Sequence, residues 1–273
     1  MNIKQYNHPV LFYSLSTIIP WILWFIVAYL SHNTNNKSIL LISIIGFIGL
    51  LFPFIIALFL ILSNNELKQD FSNRFFNLKT VKLKYLLTTC LLMLTSILVA
   101  QLISTLFGYS FEQFKFTESY TFRSGVFPVW FLLIIAPIIE ELAWHSYGTD
   151  CLRKRFSLFK TSIIFALFWG LWHIPLSFIK DYYQSNLVES GFIYSLNFLV
   201  SLFPFVIIMN WLYYKSNRNI FIPIVFHISA GYFNEIFATH PMSKVIQTIL
   251  LLLLSAYIII NDKAFFFNLK NNK

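Results

Sequence analysis

The stretch "IIAPIIEELAWHSYGTD", residues 134–150, closes an oily run with two adjacent carboxylates, Glu140 and Glu141, followed by Trp144 and His145. Ionised groups are costly where water is scarce, so charges inside an apolar helix need a reason. The run is one of eight with about 20 mainly apolar residues, the length that crosses a hydrocarbon layer. The predicted spans are 10–31, 38–62, 84–107, 126–147, 158–179, 192–213, 219–236 and 243–260. The seventh is the least apolar, because it carries His227, Asn234 and Glu235.

Composition points the same way. The chain's 273 residues are 58% hydrophobic, 19% aromatic and 11% charged, whereas soluble domains carry roughly 25% charged residues. The expected fold class is therefore all-α: a polytopic membrane protein of about eight transmembrane helices, one domain over 1–273, with its site inside the bilayer. The first span is too long for a signal-peptide core, and no small-residue cleavage site follows it. Residues 63–83 mix charges with Phe71, Phe75, Phe76 and Leu78, which predicts an amphipathic interfacial helix. No linker or internal repeat marks a second domain.

The net charge of +9 does not call for a nucleic-acid partner. With eight spans, the end bearing both termini holds 15 Lys and Arg residues and the other end holds 5, namely Lys37, Lys115, Arg123, Lys180 and Lys244. The positive-inside rule then predicts that both termini are cytoplasmic. Cys90 and Cys151 form no C-x-x-C and no disulfide framework.

Ionisable residues within spans concentrate in the second half of the chain. They are Glu140, Glu141 and His145 in the fourth span, His173 in the fifth, and His227 with Asn234 and Glu235 in the seventh. Glu141 and His145 are four apart and share a helix face, where a carboxylate–imidazole pair can form. Glu140 points roughly 100° away. Pro137 precedes it by one turn, where it can open the backbone to water. Trp169 sits one turn before His173, and His227, Gly231 and Asn234 share a face.

One carboxylate, two histidines and an amide converging at mid-membrane suit water activation: the carboxylate as base, imidazole or amide as oxyanion donor. The same set suits a divalent metal, although no H-E-x-x-H is present. A paired Glu also suits a transporter's proton site, and a lone intramembrane His is often structural. Spacing alone does not choose among these.

The residues resemble the CPBP family of intramembrane proteases, which includes the type II CAAX prenyl endopeptidases and bacteriocin self-immunity proteins. Its motifs are E-E-x-x-x-R, [FW]-x-x-x-H and H-x-x-x-N. Here "EELAWH" (140–145), "WGLWH" (169–173) and "HISAG" (227–231) fill them in order on separate spans. Two positions depart: His145 stands at the arginine and Gly231 at the asparagine. Asn234, one turn further, is the expected substitute donor.

The resemblance implies an intramembrane endopeptidase acting on a farnesylated or geranylgeranylated CAAX protein in the cell membrane. It implies Glu140 as general base assisted by His173, His227 at the oxyanion, and Glu141 orienting the site through residue 145. Trp169 and Trp172 are expected along the substrate pocket, beside membrane lipid. No cofactor is implied; zinc on Glu140, His173 and His227 is the alternative. The competing readings are a non-catalytic immunity or scaffold protein built on the same fold, and a protease acting on a non-prenylated membrane peptide.

Overall fold

The computed structural model describes residues 3–33, 39–76 and 81–269. Lys37, Leu78, Lys79, Lys270 and Lys273, used in the charge and amphipathicity arguments, lie outside them.

Among the described residues the chain is helical, with no β-strand. Seven segments are long and apolar enough to cross a membrane: Pro9–Asn33, Ile39–Leu62, Leu83–Thr105, Val129–Arg153, Leu158–Phe178, Phe192–Lys215 and Pro241–Asn261. Helix by helix these are α1 (Pro9–Asn33), α2 (Ile39–Leu62), α4 (Leu83–Thr105), α5 with α6 (Val129–Ala143, Thr149–Arg153), α7 (Leu158–Trp172), α9 (Phe192–Lys215) and α11 (Pro241–Asn261). Their outward residues, such as Ile18, Ile55, Phe59, Leu102, Leu253 and Ile260, form an exposed apolar belt that suits lipid. The chain is an integral membrane protein.

Seven of the expected spans have membrane length, and the remaining one is shorter. The 219–236 run folds as α10, Phe221–Glu235, of only 15 residues. At 1.5 Å per residue it is about 22 Å long, short of the roughly 30 Å hydrocarbon thickness. It still joins the two ends of the bundle. The N–H of Ile220, just before it, donates to the Arg74 carbonyl at 3.3 Å, while the carbonyl of Ile236, just after it, accepts from Thr117 N–H at 2.8 Å. Those partners flank opposite ends of α4. Packed against α4, α5 and α9, α10 meets protein where the others meet lipid, so it can carry polar side chains and be short.

Close packing follows from small residues at contacts. A Cβ at Gly49 would lie 2.6 Å from Trp24 Nε1, so only glycine lets α2 approach α1 here. The Trp24 indole donates to the Gly46 carbonyl at 3.0 Å.

The predicted interfacial segment contains α3, Asn65–Phe76, which packs on α2 and reaches into the protein through Arg74. Both chain ends gather at this end of the bundle. Lys154 donates to the Lys4 carbonyl, and α12, Lys263–Phe267, packs on α7, with Phe159 and Phe267 rings 5.1 Å apart. At the far end, α8 (Tyr183–Ser190) and the loop around 117–127 surround the ends of α7 and α10. Asn186 there donates to the Thr121 carbonyl at 2.7 Å.

Candidate active site

Glu140 and Glu141 sit at the last turn of α5, where the helix does not simply continue. Residues Trp144–Gly148 form a π turn before α6. A π turn inserts one residue and loosens the carbonyl ladder, and such turns recur at functional sites. The carbonyls involved are not left bare. Arg74 donates to His145 O at 3.1 Å and to Ser146 O at 2.8 Å, and the Tyr213 hydroxyl donates to His145 O at 2.8 Å. Asp150, on the next turn, ion-pairs with both Arg74 and Arg218 at 3.1 and 2.6 Å. Two arginines from outside the helix thus fix the turn that follows the glutamates.

The two carboxylates have different surroundings. Glu140 Oε2 accepts the Trp169 indole N–H at 3.0 Å and the Trp144 indole N–H at 3.4 Å, while Oε1 is left without a hydrogen bond. Glu141 is fully buried and uses both oxygens. Oε1 accepts His227 Nδ1–H at 2.8 Å, and Oε2 accepts from His145 Nδ1. The far nitrogen of His145 meets Asn210 Oδ1 at 2.9 Å, and Asn210 Nδ2 reaches Ser162 Oγ at 2.9 Å. His145 therefore serves as a buried wedge between Glu141 and α9.

His173 is the C-cap of α7. Its Nδ1–H donates to the Trp169 carbonyl at 2.7 Å, which leaves Nε2 free. His227 is likewise held at Nδ1 and free at Nε2. The Trp169 ring lies between them, 5.5 Å from the His173 ring and 5.1 Å from that of His227.

These groups border one cavity of about 990 Å³. Glu140, His173, His227, Gly231, Asn234, Trp169 and Trp172 line it; Glu141 and His145 stand behind them. Most of its lining comes from the half of the bundle remote from the chain ends, and it reaches mid-bundle at Met93, Phe205 and Leu251. Trp172 spends its indole N–H on Ser16 O at 2.9 Å and packs edge-on against Trp24 and Trp144. Asn234 bonds its own helix, Nδ2 to Ala230 O at 2.9 Å, and touches neither glutamate. No group of three His, Cys, Asp or Glu side chains among the described residues is arranged to hold a metal ion.

The sequence motifs thus come together, with one unforeseen contact: His227 bonds Glu141, the carboxylate assigned to residue 145. Arg74, Tyr213, Asn210 and Ser162 were not anticipated. Asn210 had a readable signal, since an amide inside an otherwise apolar span needs a partner just as a charge does. Arg74 had none, because it reaches the site from a helix 70 residues away.

Residues 122–233 match the sequence model of a family described as type II CAAX prenyl endopeptidase, Rce1-like. Over 268 residues, 97% of this chain and 98% of the relative, the sequence is 41% identical to CAAX prenyl protease 2 of Methanococcus maripaludis. The chain belongs to the Rce1-like CAAX prenyl endopeptidase family. As a member of it, this protein is a peptidase with a CAAX endopeptidase role, and its motif residues fall within the matched region. The transporter reading of the paired glutamates is set aside accordingly.

Proposed function

We propose that this protein hydrolyses the peptide bond after the modified cysteine of a farnesylated or geranylgeranylated CAAX substrate, releasing the aaX tripeptide, with water activated by Glu140. The observation that carries this reading is the split environment of the two glutamates. One oxygen of Glu140 is fixed by Trp169 and the other is free in the cavity, whereas Glu141 is wholly consumed by two histidines.

A water beside Glu140 Oε1 gives up a proton to the carboxylate as its oxygen attacks the scissile carbonyl carbon. His173 Nε2, unprotonated because Nδ1 carries the hydrogen, accepts the water's second hydrogen bond and orients it. The carbonyl becomes a tetrahedral oxyanion. His227, protonated at both nitrogens and held at Nδ1 by Glu141, donates from Nε2 to that oxyanion. Collapse breaks the C–N bond, and the proton on Glu140 passes to the leaving amine. The apolar part of the cavity suits a prenyl chain, and the lipid holds the substrate at the membrane. The cation-rich end of the bundle supports a cytoplasmic placement of both termini in the cell membrane.

The test is cleavage of a fluorogenic farnesylated Cys-a-a-X peptide by the purified protein in detergent. Glu140→Gln and His173→Ala should each lower kcat by at least about 10²-fold, with no effect of a strong chelator. Loss with chelator and recovery with zinc would instead assign a metal to Glu140, His173 and His227. Full activity in Glu140→Gln would end the proposal.

A further inference from the structure

A second donor would strengthen stabilisation of the oxyanion, and the motif residues beside His227 do not supply one. Where the family motif has an asparagine this chain has Gly231, which offers no side-chain donor. Asn234 is tied to Ala230 O. The indoles of Trp144 and Trp169 are spent on Glu140, and that of Trp172 on Ser16.

Tyr182 is different. It stands in the loop between the end of α7 and the start of α8, and it lines the cavity alongside Glu140, His173 and His227. Its backbone N–H is anchored on the Ile179 carbonyl at 3.2 Å. Its ring meets Phe122 edge-on at 5.8 Å. Its hydroxyl has no hydrogen-bond partner among the described residues, and it is not among the sealed, unsatisfied polar atoms of the interior. Burial and then the charge of Glu140 push the phenol up to about 12. The phenol therefore stays a protonated donor at neutral pH, on the wall of the cavity that Glu140 also lines.

We propose that Tyr182 is a catalytic residue whose phenolic O–H donates to the developing oxyanion, in the place that Gly231 leaves vacant. This rests on the hydrolytic reading above. The hydroxyl has nothing to satisfy in the free protein, as expected of a group reserved for a charge that forms during the reaction. The space at residue 231 agrees. A Cβ there meets only Leu133 Cδ2, at an ordinary 3.6 Å, so an amide side chain can be put back.

The experiment compares wild type, Glu140→Gln, Tyr182→Phe and Tyr182→Phe with Gly231→Asn on the farnesylated peptide, with Tm measured for each. Tyr182→Phe should lower kcat on the order of 10²-fold, leave KM within about twofold, and leave Tm unchanged. Adding Gly231→Asn should restore most of the lost kcat. Wild-type kcat in Tyr182→Phe, with Glu140→Gln inactive, would overturn this inference and leave the hydrolytic reading standing. So would a change confined to KM. A loss that Gly231→Asn does not reverse would assign Tyr182 to loop packing and overturn it as well. No cleavage by folded wild type would overturn both.

Discussion

The indole N–H of Trp169 donates to Oε2 of Glu140 across 3.0 Å, so the second motif supplies a hydrogen bond to the first as well as a histidine beside it. Hydrogen bonds to charged groups are worth about 1.5–3 kcal/mol. Trp169→Phe keeps most of the packing and deletes the donor. We expect kcat to fall by roughly 10- to 100-fold with KM little changed. Steady-state kinetics on the prenylated peptide checks this.

Glu140 and Glu141 should separate stability from activity. Glu141→Gln leaves His145 and His227 facing a neutral amide in a dry interior, and breaking a buried pair typically costs about 3–5 kcal/mol. A large drop in Tm together with lost activity is expected. Glu140→Gln removes a buried charge held by two indoles, so its Tm should be unchanged or higher while cleavage is lost. Thermal unfolding in detergent, run beside the activity assay, distinguishes the two.

Arg74 should behave as part of the catalytic helix although it lies on α3. Arg74→Met exposes the His145 and Ser146 carbonyls and leaves Asp150 with one arginine fewer. We expect a loss of about 3–5 kcal/mol. Arg74→Lys should not rescue it, because one ammonium cannot reproduce the guanidinium fork. Denaturant or thermal unfolding of the three proteins is the measurement.

The end of α11 offers a pH test. Asp262 accepts from Lys215 at 2.6 Å and from the Trp211 indole at 3.0 Å. Burial pushes its carboxyl up, but those two bonds outweigh burial and hold it below the usual carboxylate value. A depressed acid stabilises above its unfolded pKa and loses that effect as pH falls through the folded value. The Tm gap between wild type and Asp262→Asn should therefore be full at pH 7, begin to shrink near about pH 4 and close once pH has fallen through the depressed folded value. A gap that persists there would refute the assignment.

Much of this molecule was legible in its sequence. Seven spans could be read because burial in lipid demands long unbroken apolar runs, and the motif residues stood out as charges in those runs. The seventh span, 219–236, folds as the 15-residue α10; hydropathy reports what a segment tolerates, while α10 is sheltered by neighbours and need not match the bilayer. Helical spacing paired Glu141 with His145 because that contact is local. It could not pair Glu141 with His227, nor bring Arg74 to the π turn, since both depend on how distant helices dock. Tyr182 carried no signal, because a loop tyrosine gains significance only from the cavity it faces.

That cavity lies mainly in the half of the bundle away from the chain's own ends, and this has a consequence for sidedness. On the function proposed above, the substrate's tail is expected to enter from the face of the membrane opposite the termini. With the termini in the cytoplasm, the scissile tail is presented from outside; a tail presented from the cytoplasm requires the inverse insertion. Cys replacing exposed Lys180 at the mouth and a protease-sensitive tag after Lys273 should never be reachable from the same side of a sealed vesicle. Impermeant maleimide and added protease, applied to vesicles of known orientation, will therefore show from which compartment this peptidase draws its substrates.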